Sequence, residues 1–293
     1  MSTSPSLSAA APLVPPHACA SRMGALLLEA GKISPEQLEQ VAGMQQELGM
    51  RFGAAAVCLG LASEADIAQA LARQFDYPYV RRGEAALAPQ LVAAYQPFGP
   101  QAEALRAVRS ELMLRWFARG HRALALVGAD PGDGVSLFAA NLALVFAQLG
   151  APSVLVEANL RNPRQHQLFG IKARAGLSDI LAGRAGLEVV APIPDFPGLS
   201  VLLAGTLPPN PQELLSRDSC ALLGAELERR YQVVLYELPP FARGVDALAV
   251  AGRAGGVLLV ARKHHTRLAS VSRMAAQLAL AGAEVVGSVV VEF

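Results

Sequence analysis

The stretch Ala123-Leu-Ala-Leu-Val-Gly-Ala-Asp-Pro-Gly-Asp-Gly-Val-Ser136 decides the fold of this chain. An apolar run ends at Gly128, a glycine-rich loop follows, and Val135 begins a second apolar segment that continues to Leu149. This order predicts a buried strand, a tight turn and a helix. A turn of this kind presents the backbone N–H groups of the helix N-terminus to phosphate oxygens.

The loop follows the phosphate-binding pattern G-x-x-x-x-G-K-[S/T] with two departures. Gly134 and Ser136 fit, Ala129 stands where the first glycine is expected, and Val135 replaces the lysine. In this pattern the backbone surrounds the phosphates, the hydroxyl holds Mg²⁺, and the lysine neutralises the β- and γ-phosphates. The predicted nucleotide-binding residues are Gly128, Pro131, Gly132, Asp133, Gly134 and Ser136. The loop therefore keeps most of a phosphate cradle and lacks its cation.

Composition excludes some classes of protein. The chain has 293 residues, enough for about two domains. A net charge of +1 gives no basic field for a nucleic-acid partner. The basic run 262–267 is interpreted as a solvated loop. Three scattered cysteines favour a reducing cytoplasm over disulfides or a zinc site. The chain has no continuous run of ~18 apolar residues, so we expect no membrane span.

A tandem repeat occupies the N-terminal part of the chain. The run Arg22-Met-Gly-Ala-Leu-Leu-Leu-Glu-Ala-Gly31 returns 29 residues later as Arg51-Phe-Gly-Ala-Ala-Ala-Val-Cys-Leu-Gly60, by the difference of the two starting numbers. Each copy predicts a short helix, a glycine turn and a second helix, whose N-caps are Ser34 and Ser63. The repeated positions are Arg22, Gly24, Leu27, Gly31, Leu38 and Gln45 in the first copy, and Arg51, Gly53, Gly60, Ile67, Leu71 and Gln74 in the second. A plain helical adaptor explains the apolar positions, but packing does not require the repeated Arg and Gln.

The two copies resemble the tandem motif in the N-terminal domain of pilus and type II secretion ATPases. In that family the paired motifs bind cyclic di-GMP, so the resemblance implies that the repeated residues bind this dinucleotide. The chain departs from the motif at Met23, Phe52, Ala42 and Ala56, which replace leucines. These changes reduce the apolar contact with a ligand.

Beyond residue 101 the sequence predicts an α/β domain. Short apolar strands are expected at 123–128, 153–156, 199–203, 233–236, 256–261 and 285–291. Helices are expected at 101–119, 135–149, 210–215, 220–230 and 268–281. Their alternation predicts a parallel sheet with helices on both faces. The predicted organisation is a disordered arm over 1–21, a tandem helical domain over 22–80, a linker over 81–101 and the α/β domain over 102–293.

This second half resembles the bacterial tyrosine autokinases of exopolysaccharide export, which are relatives of the MinD-type P-loop ATPases. The matching segments are 103–109, 130–142, 157–166, 176–181, 208–215 and 231–240. The resemblance implies a MinD-like P-loop fold that binds ATP or ADP with Mg²⁺. It also implies that Glu103, Arg106 and Arg109 belong to an oligomerisation helix, on one face by their spacing.

The departures from this family fall on its catalytic positions. Val135 replaces lysine, Glu157 and Asn159 replace two aspartates, and Glu237 replaces the aspartate that, with Ser136, would serve the metal. Phosphoryl transfer depends on positioning and charge neutralisation, and one cation is worth roughly 10³–10⁵ in rate. Arg161, Arg164, Lys172, Arg262 and Lys263 are candidate substitutes by proximity, although surface roles are the simpler interpretation. The five tyrosines are scattered, at 77, 79, 95, 231 and 236, and form no terminal cluster.

The sequence favours a degenerate, kinase-like regulatory protein of exopolysaccharide biosynthesis, cytoplasmic or held at the inner membrane by a partner. Its expected partners are a membrane-anchored polysaccharide chain-length regulator, a kinase paralogue or further copies of itself. One alternative is an active ATP-dependent tyrosine autokinase with a relocated cation. Another is a MinD/ParA-like positioning ATPase, against which the missing lysine and the near-neutral charge weigh.

Overall fold

The computed structural model describes residues 16–75, 77–80 and 85–292. It divides into two compact units, Met1–Tyr77 and Pro78–Phe293. Residues 1–15 of the predicted arm lie outside the described residues, and its last six residues begin a helix instead. The arm prediction was therefore wrong for 16–21.

Four helices form the first unit: α1 (Pro16–Glu29), α2 (Pro35–Leu48), α3 (Phe52–Cys58) and α4 (Glu64–Gln74). Both predicted helix starts are confirmed. The Ser34 hydroxyl accepts from the Gln37 N–H, and the Gln37 side chain accepts from the Ser34 N–H. Ser63 and Asp66 make the same reciprocal pair at α4. Each cap satisfies backbone donors that a helix start leaves open.

Packing accounts for one pair of repeated glycines in this unit. A Cβ atom on Gly24 would collide with the Leu38 side chain, and one on Gly53 would lie 2.7 Å from Ile67. The two contacts are equivalent because both members of the second pair lie 29 positions after those of the first. Each glycine thus lets one helix approach another closely.

The second unit contains a seven-stranded sheet in the order β3-β4-β2-β5-β1-β6-β7. The strands are β1 (Ala123–Gly128), β2 (Ser153–Glu157), β3 (Ala191–Pro192), β4 (Leu199–Leu202), β5 (Val233–Glu237), β6 (Gly256–Arg262) and β7 (Glu284–Val291). All pairings are parallel except that between β3 and β4. The predicted parallel sheet is confirmed, whereas the two-residue β3 was too short to give a sequence signal.

Helices pack against this sheet. They are α5 (Val92–Tyr95), α6 (Pro100–Arg115), α7 (Val135–Gln148), α8 (Gln165–Leu168), α9 (Leu177–Leu181), α10 (Pro211–Ser216), α11 (Asp218–Arg230), α12 (Asp246–Ala254) and α13 (Leu268–Leu280). Three 3₁₀ turns lie at Phe117–Arg119, Leu187–Val189 and Phe241–Arg243. Helix α7 is buried along nearly its whole length, as expected for a helix without a polar face.

The predicted linker over 81–101 differs from the structure. Its described part, from residue 85, belongs to the second unit, and Leu91, Ala93 and Ala94 there are fully buried. Two polar residues of α7 hold this segment. The Asn141 Oδ1 accepts from the Ala93 N–H at 3.0 Å, and the Gln148 Nε2 donates to the Ala93 carbonyl at 2.8 Å. Pro89 and Pro97 lie in turns of this packed segment, and Pro100 begins α6.

Candidate functional site

A cleft of about 640 Å³ opens at the carboxyl ends of β1, β2 and β5. Ligands of open parallel α/β sheets bind at this edge, and the volume is typical of a small-molecule site. The lining residues are Asp130–Leu137, Asn159, Arg161, Asn162, Arg164, Glu237–Pro240, Arg243 and Arg262. Of the predicted nucleotide-binding residues, Gly128 is not among them.

The loop between β1 and α7 keeps the backbone of a phosphate cradle. Gly132 and Gly134 have φ of 95° and 82°, in the left-handed region that favours glycine. A Cβ on Gly128 would lie 2.8 Å from the Asp133 Cβ and 2.9 Å from the Val135 Cγ2, so Gly128 supports the loop from beneath. The first N–H groups of α7 have no partner within the helix and favour an anion. These features fit a bound phosphate.

Asp133 occupies the interior of the same loop. Its carboxylate is 1% exposed, and its Oδ2 accepts from the Asp130 N–H at 2.9 Å. The Thr266 hydroxyl donates to the other oxygen, Oδ1, at 2.5 Å. The Asp133 side chain therefore occupies one of the loop N–H groups, that of Asp130, which leaves fewer donors for a ligand.

Most of the basic run 262–267 is exposed, with Arg262 and Thr266 half-buried, and the run also contacts this loop. The Arg262 Nη1 lies 3.4 Å from the Gly132 carbonyl oxygen, and the His265 Nε2 lies 3.1 Å from the Pro131 carbonyl oxygen. With Thr266, these contacts brace the phosphate loop from the β6–α13 connection. No local pattern predicts this pairing, because 130 positions separate Gly132 from Arg262.

Val135 belongs to the lining of the cleft but offers no charge to a ligand. Its side chain is 8% exposed and belongs to the apolar core between α7 and the sheet. A lysine at this position supplies a mobile cation to the phosphates in the usual pattern. Here the same position contributes packing.

Glu157 is committed to the backbone. It is fully buried at the end of β2, and its Oε1 accepts from the N–H groups of Arg164 and Gln165 at 2.5 and 2.6 Å. Its Oε2 accepts from the Ala204 N–H at 2.9 Å. Burial raises the pKa of the Glu157 carboxyl, while these hydrogen bonds act to lower it. Both oxygens therefore hold the chain after β2 and the end of β4 in place.

Glu237 and Ser136 meet at the bottom of the cleft. The Ser136 hydroxyl donates to the Glu237 Oε1, and the Gln165 Nε2 donates to Oε2 at 2.5 Å. Burial, together with the neighbouring Glu157, raises the pKa of Glu237 to about 7. Glu157 and Glu237 are direct partners in the β2–β5 register, so two ionised carboxylates there would repel each other. Glu237 is therefore largely protonated below neutral pH.

The Ser136–Glu237 pair also meets the minimum requirement for Mg²⁺. This ion is commonly held by one or two carboxylates and completed by water and substrate phosphates. The buried Gln165 Oε1 has no hydrogen-bond partner, which leaves an additional oxygen beside the pair. Among the described residues no group of three or more His, Cys, Asp or Glu side chains could hold a metal unaided. The donor set fits a metal that arrives with a phosphate ligand.

Asn159 closes a local turn. Its Nδ2 donates to the Asn162 carbonyl, and its Oδ1 accepts from the Asn162 N–H, both at 3.2 Å. The side chain also hydrogen bonds with Glu237. An amide here avoids placing a further carboxylate beside a buried acidic pair, but it offers no base to a reaction.

Four arginines line the cleft. Arg161, Arg164 and Arg262 were predicted candidates, and Arg243 was missed. Arg161 is held by buried Asp246, with Nε–Oδ2 and Nη2–Oδ1 distances of 2.6 and 3.2 Å. The other two candidates lie outside the lining: Lys172 is exposed, and Lys263 pairs with Glu292 at 2.9 Å. A signal for Arg243 existed, since it closely follows the predicted strand that ends at Tyr236.

The predicted oligomerisation residues make contacts within their own unit. Glu103 and Arg106 form an ion pair at 2.6 Å, and the Arg106 Nη1 donates to the Pro97 carbonyl at 2.5 Å. The Arg109 Nη1 donates to the Val145 carbonyl at 2.7 Å. The arginines fasten α6 to the preceding turn and to α7, a role that spacing on one helix does not reveal.

The predicted dinucleotide-binding residues differ in burial and in backbone conformation. Leu27 and the glycines 24 and 53 are buried, whereas Gly31 and Gly60 adopt left-handed turns with φ of 64° and 68°. Arg22 and Arg51 are exposed. Half-buried positions complete the set: Leu38, Gln45, Ile67, Leu71 and Gln74. Packing explains the apolar members, whereas the side chains of the two arginines make no hydrogen bond or ion pair with any residue that the structure describes.

The sheet order, the loop and the cleft are those of the MinD-like P-loop fold. MinD of Pyrococcus horikoshii, solved with Mg-ADP, shares this fold at a TM-score of 0.51 and 20% identity over 58% of this chain and 70% of that one. The kinase domain of the Escherichia coli tyrosine kinase ETK aligns more completely, at a TM-score of 0.68 and 31% identity over 72% of this chain and 83% of that domain.

Sequence comparison leads to the same group. The chain is 30% identical over 199 residues to the tyrosine-protein kinase YwqD of Bacillus subtilis. The aligned residues cover 68% of this chain and 84% of YwqD. It is 36% identical over 199 residues to the putative tyrosine-protein kinase EpsB of Ralstonia solanacearum. The chain therefore belongs to the bacterial tyrosine-protein kinase family. No family model matches it.

The match to the longer relatives is partial. The aligned residues make up 68% of this chain and 26% of EpsB. Within the described residues, no helix is long and apolar enough to span a membrane.

Proposed function

We propose that this chain is a regulatory member of the tyrosine-kinase family that binds a nucleotide with little or no phosphoryl transfer. One observation carries the proposal: both oxygens of Glu157 are bonded to backbone N–H groups. A carboxylate committed in this way is not available to a metal or a substrate hydroxyl. The packed Val135 and the neutral Asn159 support the same conclusion.

The nucleotide part of the proposal is supported by the cleft and its glycine loop. Phosphates would lie against the loop backbone, and Mg²⁺ would be held by Ser136 and Glu237 together with those phosphates. The ion would supply charge neutralisation to the phosphates. The protein groups that assist it would bind and orient the ligand, because Asn159 and Glu157 offer no free base to a substrate hydroxyl.

A transfer assay on the full chain tests the proposal. With γ-labelled ATP and Mg²⁺, we expect the wild type to incorporate no label above that of a heat-denatured control, either into its own tyrosines or into a tyrosine-containing peptide. Binding of ATP and ADP is measured in parallel for the wild type and for Val135→Lys. Sustained label transfer by the wild type would overturn the regulatory proposal.

An active autokinase with a relocated cation is the second candidate, favoured by the arginines that line the cleft. The same assay separates the two, because only the autokinase labels itself. A MinD/ParA-like positioning ATPase is the third, and it predicts release of inorganic phosphate without any labelled tyrosine.

We further propose that the protein acts in exopolysaccharide biosynthesis and export, in the cytoplasm or at the inner membrane through a partner. The partners would be a membrane-anchored chain-length regulator, a kinase paralogue or further copies of the chain. Co-purification from cells expressing both proteins tests each pairing. Since Arg106 and Arg109 stabilise α6 internally, charge reversal there must be accompanied by a melting curve.

The first unit is proposed to sense cyclic di-GMP. Exposed arginines at equivalent positions of the two copies, Arg22 and Arg51, support this idea, because arginine binds phosphate and guanine edges. Calorimetry of the full chain should show heat with cyclic di-GMP that disappears in Arg22→Ala/Arg51→Ala. Absence of heat at micromolar protein would contradict the proposed cyclic di-GMP binding and leave a helical adaptor as the role of this unit.

A further inference from the structure

Two of the four arginines that line the cleft have guanidinium groups that make no contact stabilising the fold. Arg164 lies between β2 and α8, and Arg243 ends the 3₁₀ turn after β5. Both are exposed. Within the described part of the chain, neither guanidinium group has a hydrogen-bond or ion-pair partner. Arg161 differs, because buried Asp246 fixes its guanidinium through two hydrogen bonds.

The phosphate loop between β1 and α7 supplies no cation near the guanidinium groups of Arg164 and Arg243. Val135 occupies the lysine position and is packed into the core. Asp130 lines the same cleft, and buried Asp133 adds a second carboxylate within the loop. A polyphosphate bound against the loop would therefore meet negative charge unless other residues that line the cleft supplied cations. Arg164 and Arg243 are the side chains that can provide them.

We propose that Arg164 and Arg243 bind the phosphates of a nucleoside polyphosphate in this cleft and take the place of the missing loop lysine. Arginine suits this role, because it stays charged at all relevant pH values and presents a planar set of donors that matches phosphate oxygens. Charge-assisted contacts of this kind are about twice as strong as neutral ones. The inference rests on the proposed nucleotide binding and adds the residues responsible for it.

The experiment measures affinity of the full chain for ATP, ADP and inorganic tripolyphosphate by calorimetry, with Mg²⁺ present. Removing one guanidinium, in Arg164→Gln or Arg243→Gln, should weaken ATP binding about tenfold, and removing both about 10²-fold. Tripolyphosphate should compete with ATP, because the contacts are to phosphates. Rising salt should weaken the wild type more than the double variant.

A matched control removes the same charge elsewhere. Arg217 and Arg273 are exposed, lie outside the cleft lining and sit at or in helices α11 and α13. The double variant Arg217→Gln/Arg273→Gln should bind ATP as the wild type does. Equal losses in the two double variants would mean that net charge matters and would overturn the assignment. Unchanged affinity in Arg164→Gln/Arg243→Gln would overturn it as well.

Failure of this inference differs from failure of the regulatory proposal. If the wild type binds no nucleotide, the arginine assignment is wrong, while a regulatory role without a ligand survives. If the wild type transfers phosphate and the double variant does not bind ATP, the assignment stands and the regulatory proposal is wrong.

Discussion

The bottom and the rim of the cleft use charged residues in opposite ways. At the bottom, the fully buried Glu157 commits both carboxylate oxygens to backbone N–H groups. At the rim, the guanidinium groups of Arg164 and Arg243 are exposed and have no hydrogen-bond or ion-pair partner among the described residues. The same site therefore separates residues that stabilise the domain from residues that remain available to a ligand. Mutations at the two levels should have different consequences.

The largest loss of stability is expected at Glu157. Replacing it by alanine leaves three N–H groups without an acceptor, two of them buried and that of Arg164 partly buried, and each buried one costs about 1–3 kcal/mol. We expect Glu157→Ala to lower the free energy of unfolding by about 3 kcal/mol or more. Denaturant unfolding followed by the single tryptophan, buried Trp116, measures this in the second unit.

The control for that experiment is Glu226→Ala on α11. Glu226 pairs with Arg229 and Arg230 on an exposed face, so its loss should lower the free energy of unfolding far less than the loss of Glu157. Similar losses at Glu157 and Glu226 would mean that the bottom of the cleft is no more important to the fold than its surface.

The next effect depends on pH and comes from Glu237. Its pKa is about 7 in the fold, above the ordinary value of 4.5. The folded state therefore binds more protons between these values, and the stability of the second unit should fall as pH rises from about 4.5 to about 7. The loss is up to about 3 kcal/mol. Glu237→Gln should be more stable than the wild type at pH 8 and similar to it at pH 5, by melting curves at the two values.

An intermediate loss of stability is expected where the β6–α13 connection contacts the phosphate loop. Thr266→Val removes the hydroxyl that donates to buried Asp133, and a bond to a charged group is worth about 1.5–3 kcal/mol. Thr266→Ser keeps the hydroxyl and should stay close to the wild type. If both variants unfold alike, the brace from the β6–α13 connection contributes nothing.

The smallest change in stability is expected at the rim itself. Arg164→Gln and Arg243→Gln alter exposed side chains without partners among the described residues, so unfolding should shift by no more than about 0.5 kcal/mol. A marked destabilisation by either change would show that the rim also serves the fold.

Local patterns carried most of the fold prediction. Strand β1 and the start of α7 were placed correctly because an apolar run, a glycine loop and a second apolar run follow one another. The capped starts of α2 and α4 were correct for the same local reason. The site was only half predictable. The loop residues form a continuous motif, whereas Asp246, Gln165 and Thr266 reach it from distant segments through contacts that only the folded chain defines.

The role of Glu157 illustrates the limit most clearly. The family resemblance implies that this position is catalytic, so its carboxyl group was expected to affect phosphoryl transfer. In the fold its oxygens accept from Arg164, Gln165 and Ala204, which lie 7, 8 and 47 positions further along the chain. A substitution that lengthens a side chain can thus exchange a reactive position for a structural one.

Asn141 and Gln148 hydrogen bond to the segment before α6 and form a clasp that holds it against α7. This clasp determines where the chain can be shortened without loss of stability. A recombinant fragment beginning at residue 102 would lose the Ala93 partner of both amides and expose the apolar side of α7. Such a fragment should aggregate or need detergent, whereas one beginning at Pro78 keeps the clasp whole. Crystallisation and binding work on the second unit should begin at that proline.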